Sequence, residues 1–436
     1  TTYILSEQHD WFEDEIKFIR FYIKPGMKVV DVGANYGCYS LSIAGIIGDS
    51  GRVWAIEPTD ATASCLRASI ELNKFTNVDL IQAGLSIKSG HAELFTSENS
   101  ELNSLSDDAG TNNQKKTIKL LTLDQCMELY GWNDIDFIKL DAEGEEINIL
   151  KGGESMLASM SPLIMFELKH GSKVNIPLIE QFSQTGYNCY RLIPGLNILV
   201  PFDHTKSFDS FLLNLFCCKN EKAKQLEEEG FIVREFDSAT VLAQDVARQY
   251  IDSQPFSGDI IRQQETSAKD GANEYLKTLT AYIMAMQEST ENHTRIACIM
   301  QALDGLHSLL SGGEQDSARL ATLSRIAFDA GERQLGVELL RRLLNKHGAN
   351  INFKLEELFL PASSRYEGMV PGTRKNEWMM ASIIEQSIKM SAYSTFFTRQ
   401  RMVPLFDGLN RLGYMNEDMQ KRYRLVQTCF PQQTSE

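Results

Sequence analysis

Residues Lys28-Val29-Val30-Asp31-Val32-Gly33-Ala34-Asn35-Tyr36-Gly37 decide the reading of the first half of the chain. A short apolar run ends in an acid, and two glycines follow on one turn. Residues 38–47 then form an amphipathic segment. The pattern predicts a buried strand, a tight turn and a helix start. Glycine suits a turn that bends sharply and lets a ligand come close with no Cβ in the way. The helix N-terminus beyond it offers free N–H groups to a polar or negatively charged ligand.

On either side of this stretch the pattern continues. Residues 8–23 place Phe12, Ile16, Ile19 and Ile23 at helical spacing, and Pro25-Gly26 breaks the segment before the first strand. Strands are predicted over 52–57 and 78–83, with a helix over 61–73 between them. Strand and helix alternating in this way indicate a parallel sheet with right-handed crossovers. Shorter strand-like runs follow at 91–95 and 117–123, separated by a polar stretch, 97–113, that reads as a mobile loop or lid. A short helix over 124–130 precedes an apolar strand over 135–140, which ends in Asp141. A helix is predicted from Glu143 to Leu150, a strand over 162–168 and a helix over 176–182. Two last strands, 187–193 and 211–218, have no helix between them and fit an antiparallel edge.

Beyond about residue 236 nearly everything reads as helix, and residues 318–347 form a helix pair like a single tetratricopeptide unit. The expected division is a sheet domain over 1–235 and an all-α domain over 236–436. A length of 436 residues allows for that.

Composition narrows the function. The formal charge is −15, and residues 1–235 carry 34 acidic against 21 basic side chains. That balance argues against a nucleic-acid partner, which would draw on clustered Lys and Arg. No run approaches the roughly eighteen apolar residues of a membrane span, and no signal peptide is visible at the N-terminus. Eight cysteines at irregular spacing, with no C-x-x-C, make neither a zinc site nor a disulfide framework. Thiols among apolar neighbours suit a reducing compartment, so a cytoplasmic protein is expected.

In open α/β sheets ligands bind outside the carboxyl ends of the strands. Glu57 ends the second strand, where an acid is placed to accept the hydroxyls of a ribose. A dinucleotide fingerprint wants G-x-G-x-x-G, whereas Asn35 stands in the middle of Gly33-x-x-x-Gly37. The missing glycine removes the close pyrophosphate approach, and S-adenosylmethionine, which has no pyrophosphate, fits better. In the second cluster, 137–146, Lys139 and Asp141 are two apart in a strand and share a face. Lys139 is a charge inside an apolar strand and needs a carboxylate partner or a site. Glu143, Glu145 and Glu146 would compensate the dipole of a first helical turn.

The motifs Asp31-Val32-Gly33-Ala34-Asn35-Tyr36-Gly37, Ile56-Glu57-Pro58, Leu121-Thr122-Leu123-Asp124 and Lys139-Leu140-Asp141-Ala142-Glu143-Gly144-Glu145-Glu146 occur together in this order. With them, residues 8–220 resemble the FkbM-type S-adenosylmethionine-dependent methyltransferases; Ala142 departs from the larger aliphatic common there. The resemblance implies a class I methyltransferase α/β fold, Rossmann-like, with a mostly parallel seven-stranded sheet containing one antiparallel strand. It implies O-methylation, often of sugars. Asp31, Gly33, Ala34, Asn35, Tyr36, Gly37, Glu57, Pro58, Gly84 and Leu85 would then hold the cofactor. Asp141 is the leading base, with Lys139 and Glu143 orienting it, and Glu167 and His170 are second candidates. A carboxylate cluster could hold Mg²⁺, although nothing in the sequence supports a metal. The helical half lies outside the resemblance and is open to a role in dimerisation, in protein partnership or as a wall of the acceptor site. Competing readings are methylation of a protein or small molecule, or an assembly protein with a degenerate sheet domain.

Overall fold

The computed structural model describes residues 1–96, 114–170, 173–236, 245–260, 272–348, 350–394, 398 and 402–430. The predicted loop at 97–113 lies outside them. The chain opens with α1 (Thr2–Gln8) and α2 (Glu15–Tyr22). The single helix expected over 8–23 is therefore broken across 9–14. The cause is local: the Asp10 carboxylate accepts the Trp11 N–H at 2.8 Å, and Arg20 grips both its oxygens at 2.7 Å. An Asp that bonds its own backbone competes with the helix.

The parallel units follow as β1 (Lys28–Val32), α3 (Cys38–Ile47), β2 (Arg52–Ile56), α4 (Asp60–Leu72) and β3 (Val78–Ile81). A side sheet is built from β4 (Gly84–Leu85), β5 (Gly90–Thr96) and β6 (Gln114–Leu121), in the order β4-β6-β5. Next come α5 (Leu123–Tyr130), β7 (Phe137–Leu140), α6 (Glu146–Lys151), α7 (Glu154–Ser159) and β8 (Leu163–Glu167). After β9 (Lys169–His170), β10 (Lys173–Val174) and α8 (Ile176–Gln184) the chain adds β11 (Tyr187–Ile193), β12 (Ile198–Pro201), β13 (Asn214–Lys219) and α9 (Asn220–Glu228).

The main sheet runs β12-β11-β13-β8-β7-β1-β2-β3. Its five strands from β8 to β3 are parallel, while β13 is antiparallel to both its neighbours. That is the expected seven-stranded arrangement with one reversed strand, extended by an eighth. The extra strand, β12, was expected to be loop. A turn over 194–197, with Asn197 at φ +53°, doubles the chain back so that β12 pairs antiparallel with β11. Asn tolerates that left-handed backbone better than most residues.

Alternation sends successive residues to opposite faces. Val30, Val32, Ile138 and Leu140 pack into one core, and Val29, Val53 and Phe137 into the other. β7 lies in the middle of the parallel sheet and is buried along its whole length, as a strand covered on both faces must be.

The helical half contains α10 (Asp245–Asp252), α11 (Ser257–Ile260), α12 (Ala272–Met286), α13 (Asn292–Ser311), α14 (Ser317–Asp329), α15 (Arg333–His347) and α16 (Lys375–Met390), then the helices Val403–Leu412 and Glu417–Cys429. The pair α14 and α15 falls where the sequence predicted one. The core of this half is continuous with Ile193, Leu196, Ile198 and Val200 at the sheet edge. Gly195 permits the approach, because a Cβ there would lie 2.5 Å from that of Asp329. Helix α1 also joins this half: Glu7 pairs with Arg422 at 3.0 Å. Among the described residues no helix is long and apolar enough to cross a membrane.

Candidate active site

The carboxyl ends of β1, β2, β7 and β8 open onto one cavity of about 410 Å³. Asp31, Gly33, Ala34, Asn35, Tyr36, Glu57, Pro58, Gly84, Leu85, Lys139, Asp141, Glu143 and Glu167 all line it. Residues chosen from strand ends more than a hundred positions apart are thus brought together by the sheet.

The turn after β1 owes its shape to Gly33. Its φ is +75°, and a Cβ would stand 1.8 Å from the Asp141 carbonyl oxygen. The loops after β1 and β7 therefore touch backbone to backbone. Asn35, which replaces the middle glycine, also has positive φ, +50°, and Asn is among the few side chains that accept it. Gly37, at φ +86°, is the N-cap just before α3.

Glu57 is buried and pinned. Its Oε1 accepts from the Thr59 N–H at 2.9 Å and the Thr59 hydroxyl at 2.5 Å, and its Oε2 from the Asn35 N–H at 3.1 Å. A carboxylate has about four acceptor positions, so among the described residues one on Oε2 is left. Burial raises its pKa against these bonds from Thr59 and Asn35.

Lys139 and Asp141 form an ion pair of 2.7 Å, the lysine side chain 7% exposed and the aspartate 36%. Lys139 is also in register with Asp31 on β1, and its ammonium lies 5.2 Å from the centre of the Tyr39 ring. Burial alone would lower its pKa, but Asp141, Asp31 and Glu13 together raise it. It is a fixed cation. Asp31 accepts from the Ser40 hydroxyl at 2.5 Å through Oδ2, while its buried Oδ1 has no hydrogen-bond partner among the described residues. Burial pushes Asp31 upward and Lys139 opposes it.

The loop after β7 departs from expectation. Glu143 and Gly144 have φ of +51° and +102°, so the helix predicted from Glu143 starts only at Glu146. Glu146 folds back to accept the N–H groups of Ala142 at 2.9 Å and Gly144 at 3.2 Å. It shapes the loop. Glu145 accepts from Ser86 at 2.9 Å and Asn148 at 3.1 Å.

Glu167 is pushed up to about 10 by burial and by the nearby Asp141, Glu143 and Glu146 carboxylates. Lys139 opposes the shift, and on balance the protonated form, which can donate a hydrogen bond, is favoured at neutral pH. His170 pairs through its backbone with Lys173 in the β9–β10 ladder; its side chain lies outside the described part. Among the described residues no group of three or more His, Cys, Asp or Glu is arranged to hold a metal ion.

Sequence reasoning missed Glu13. It lines the cavity, accepts a short hydrogen bond from the Tyr39 hydroxyl, and has its pKa raised by burial against the pull of Lys139. Trp11 and Phe12 line the same wall. The run Glu13-Asp14-Glu15, three consecutive acids beside the apolar Trp11 and Phe12, was the available signal. All eight cysteines are free, and five of them are buried.

Residues 31–189 match the model of the methyltransferase FkbM domain. That stretch is an FkbM methyltransferase domain. It contains the turn after β1, Glu57, the Lys139–Asp141 pair and Glu167. Similar solved structures include methyltransferase FkbM from Methylobacillus flagellatus, 18% identical, with 44% of this chain and 43% of that chain covered and a TM-score of 0.31. This chain thus spans less than half of that protein. A SAM-dependent methyltransferase from Aquifex aeolicus is 14% identical over 49% of this chain and 90% of the other, at a TM-score of 0.28. Aeropyrum pernix fibrillarin, with natively bound S-adenosyl-L-methionine, is 11% identical over 45% of this chain and 67% of the other, at 0.26. No match is found among curated protein sequences.

Proposed function

We propose that this protein transfers a methyl group from S-adenosylmethionine to a hydroxyl of a sugar or glycan. The observation that carries the reading is the meeting of the Gly33 turn, Glu57 and the Lys139–Asp141 pair at one cavity. The residues fit the cofactor. The unpartnered Oδ1 of Asp31 suits an ammonium, the free acceptor position on Glu57 Oε2 suits one ribose hydroxyl, and Gly33, Ala34 and Asn35 line the methionine side. A bound sulfonium would supply an already activated methyl group.

The chain's own task is then to orient and deprotonate the acceptor. A sugar hydroxyl is a poor nucleophile at neutral pH and gains from a base within hydrogen-bond reach. Asp141 is that base, its carboxylate aimed by Lys139. Holding the two reactants in line supplies much of the rate. Glu167, protonated, donates a hydrogen bond to the acceptor instead of competing for its proton. The acidic lining favours a cationic cofactor and disfavours polyphosphates.

The test is transfer of labelled methyl from S-adenosylmethionine to a panel of sugars and glycan fragments, run beside protein and small-molecule hydroxyl acceptors. Label in a glycan supports the reading. Label only in a protein would leave methyl transfer standing and discard the sugar.

A further inference from the structure

A second cavity, of about 440 Å³, lies between the antiparallel edge of the main sheet and the helical half. Its volume falls in the range of about 300–1,000 Å³ typical of small-molecule sites. Glu13 and Leu213 line both this cavity and the first, so the two adjoin at those residues.

The walls are fixed from both sides. Tyr393 donates its hydroxyl to the Phe211 carbonyl at 2.8 Å, and Arg191 donates to the Ala330 carbonyl at 3.1 Å. Asp209 accepts the N–H groups of Phe211 and of Gln334, each at 2.6 Å. A cavity held this way is preorganised, which spares a ligand the cost of ordering it.

Its polar groups are of both signs and partly unused. Arg333 lies over the rings of Phe211 and Tyr393, 5.2 and 4.6 Å from their centres, and donates through Nε and Nη2 to the Met390 and Ala392 carbonyls. Its Nη1, and Nε and Nη2 of Arg191, have no acceptor among the described residues. Glu332, which also lines the cavity, has no hydrogen-bond donor among them. These groups are half-buried and line the cavity, where a ligand can reach them. An anion placed there would face Glu332 and Asp209, and an ammonium would face the two arginines. A neutral hydroxyl both accepts and donates, so it can join a guanidinium and a carboxylate at once. Phe202 and Phe208, with ring centres 5.5 Å apart, add apolar faces.

We propose that this second cavity is the acceptor site, taking a neutral polyhydroxylated molecule of the sugar class whose reacting hydroxyl reaches Asp141 past Glu13 and Leu213. The acceptor role rests on the methyl-transfer reading; the sugar site does not. On this account the helical half forms one wall of the active site.

The experiment uses the full chain and saturation-transfer NMR, with the methyl glycosides of glucose, mannose and galactose as neutral probes and with acetate and inorganic phosphate as anions. Binding of S-adenosylmethionine is followed in parallel by calorimetry. A neutral glycoside should bind, and Glu332→Gln and Phe202→Ala should each weaken it about fivefold, the effect of one lost hydrogen bond or comparable contact, with cofactor affinity unchanged. Circular dichroism checks that each variant is folded, and Glu332→Gln removes no side-chain hydrogen bond among the described residues. Binding of the anions alone, equal glycoside binding by the variants, or no glycoside binding at all would overturn the proposal. A glycoside that binds and responds to the variants in a protein that fails to bind S-adenosylmethionine would overturn the acceptor role and the methyl-transfer reading, while leaving a sugar site.

Discussion

Lys139 Nζ lies 2.7 Å from Asp141 Oδ2, at the carboxyl end of the central strand β7. The lysine is nearly inaccessible and the aspartate over a third exposed. A buried cation thus holds an accessible carboxylate at the mouth of the cavity. On the proposed mechanism the two have separate roles: Asp141 would meet the acceptor, and Lys139 would position Asp141.

Asp141→Asn should therefore reduce turnover by about 10²- to 10⁴-fold, the usual contribution of a general base. Affinity for S-adenosylmethionine should change little. Methyl-transfer kinetics and calorimetry on the same preparation check both halves, and full activity in this variant would remove Asp141 from the mechanism.

The pH dependence of stability tests Glu167. In the unfolded chain this carboxyl ionises near 4.5, whereas in the native protein burial and three neighbouring carboxylates hold its proton to about 10. Between those values the native state binds the extra proton, so wild-type stability falls as pH rises through the window. Glu167→Gln removes that dependence. Melting curves at about pH 5, 7 and 9 should show the variant gaining on wild type at each step; a constant difference would mean that Glu167 is ionised in the native state.

Gly33→Ala should disrupt the site, since its Cβ would meet the Asp141 carbonyl at 1.8 Å in a backbone at φ +75°. Gly131→Ala is the control. That residue has φ +65° but nothing within 4 Å, and should show only the conformational cost of about 1–2 kcal/mol. Denaturation midpoints and cofactor affinity distinguish them: both variants lose stability, and only Gly33→Ala loses binding.

The Glu7–Arg422 pair ties the first helix to the last described one, with Ser394 donating to Glu7 at 2.5 Å. Both charges are buried. Glu7→Ala leaves Arg422 without its partner and should cost about 3–5 kcal/mol, whereas the double change to Glu7→Ala and Arg422→Met should recover much of that loss. Urea denaturation reads the difference. A double variant as unstable as the sum of the singles would show that the pair is not coupled.

The part of the fold legible in the sequence was the part governed by local rules. The apolar run into Asp31, the glycine turn and the apolar strand ending at Asp141 each carry their period and their stop signal within a few residues. Strand ends then led to the site, because a parallel sheet gathers them at one edge. What local pattern did not show depended on side chains returning to backbone. Helical spacing ran through 9–14, but Asp10 bonding to Trp11 broke the helix and turned Trp11, Phe12 and Glu13 into the cavity. The acids of 143–146 read as a helical first turn, but Glu146 accepts N–H groups two and four residues back and delays the helix. The second cavity was illegible for another reason: its two walls come from β11–β13 and from α14–α16, which nothing in the sequence pattern places together.

The central claim is that the cavity at the ends of β1, β2 and β7 binds S-adenosylmethionine. Isothermal titration calorimetry of the full chain with that cofactor tests it most directly, with Glu57→Ala as the companion variant. The account predicts saturable binding to one site in the wild type and a clear loss of affinity in the variant. Absence of binding to the folded wild-type protein would contradict it.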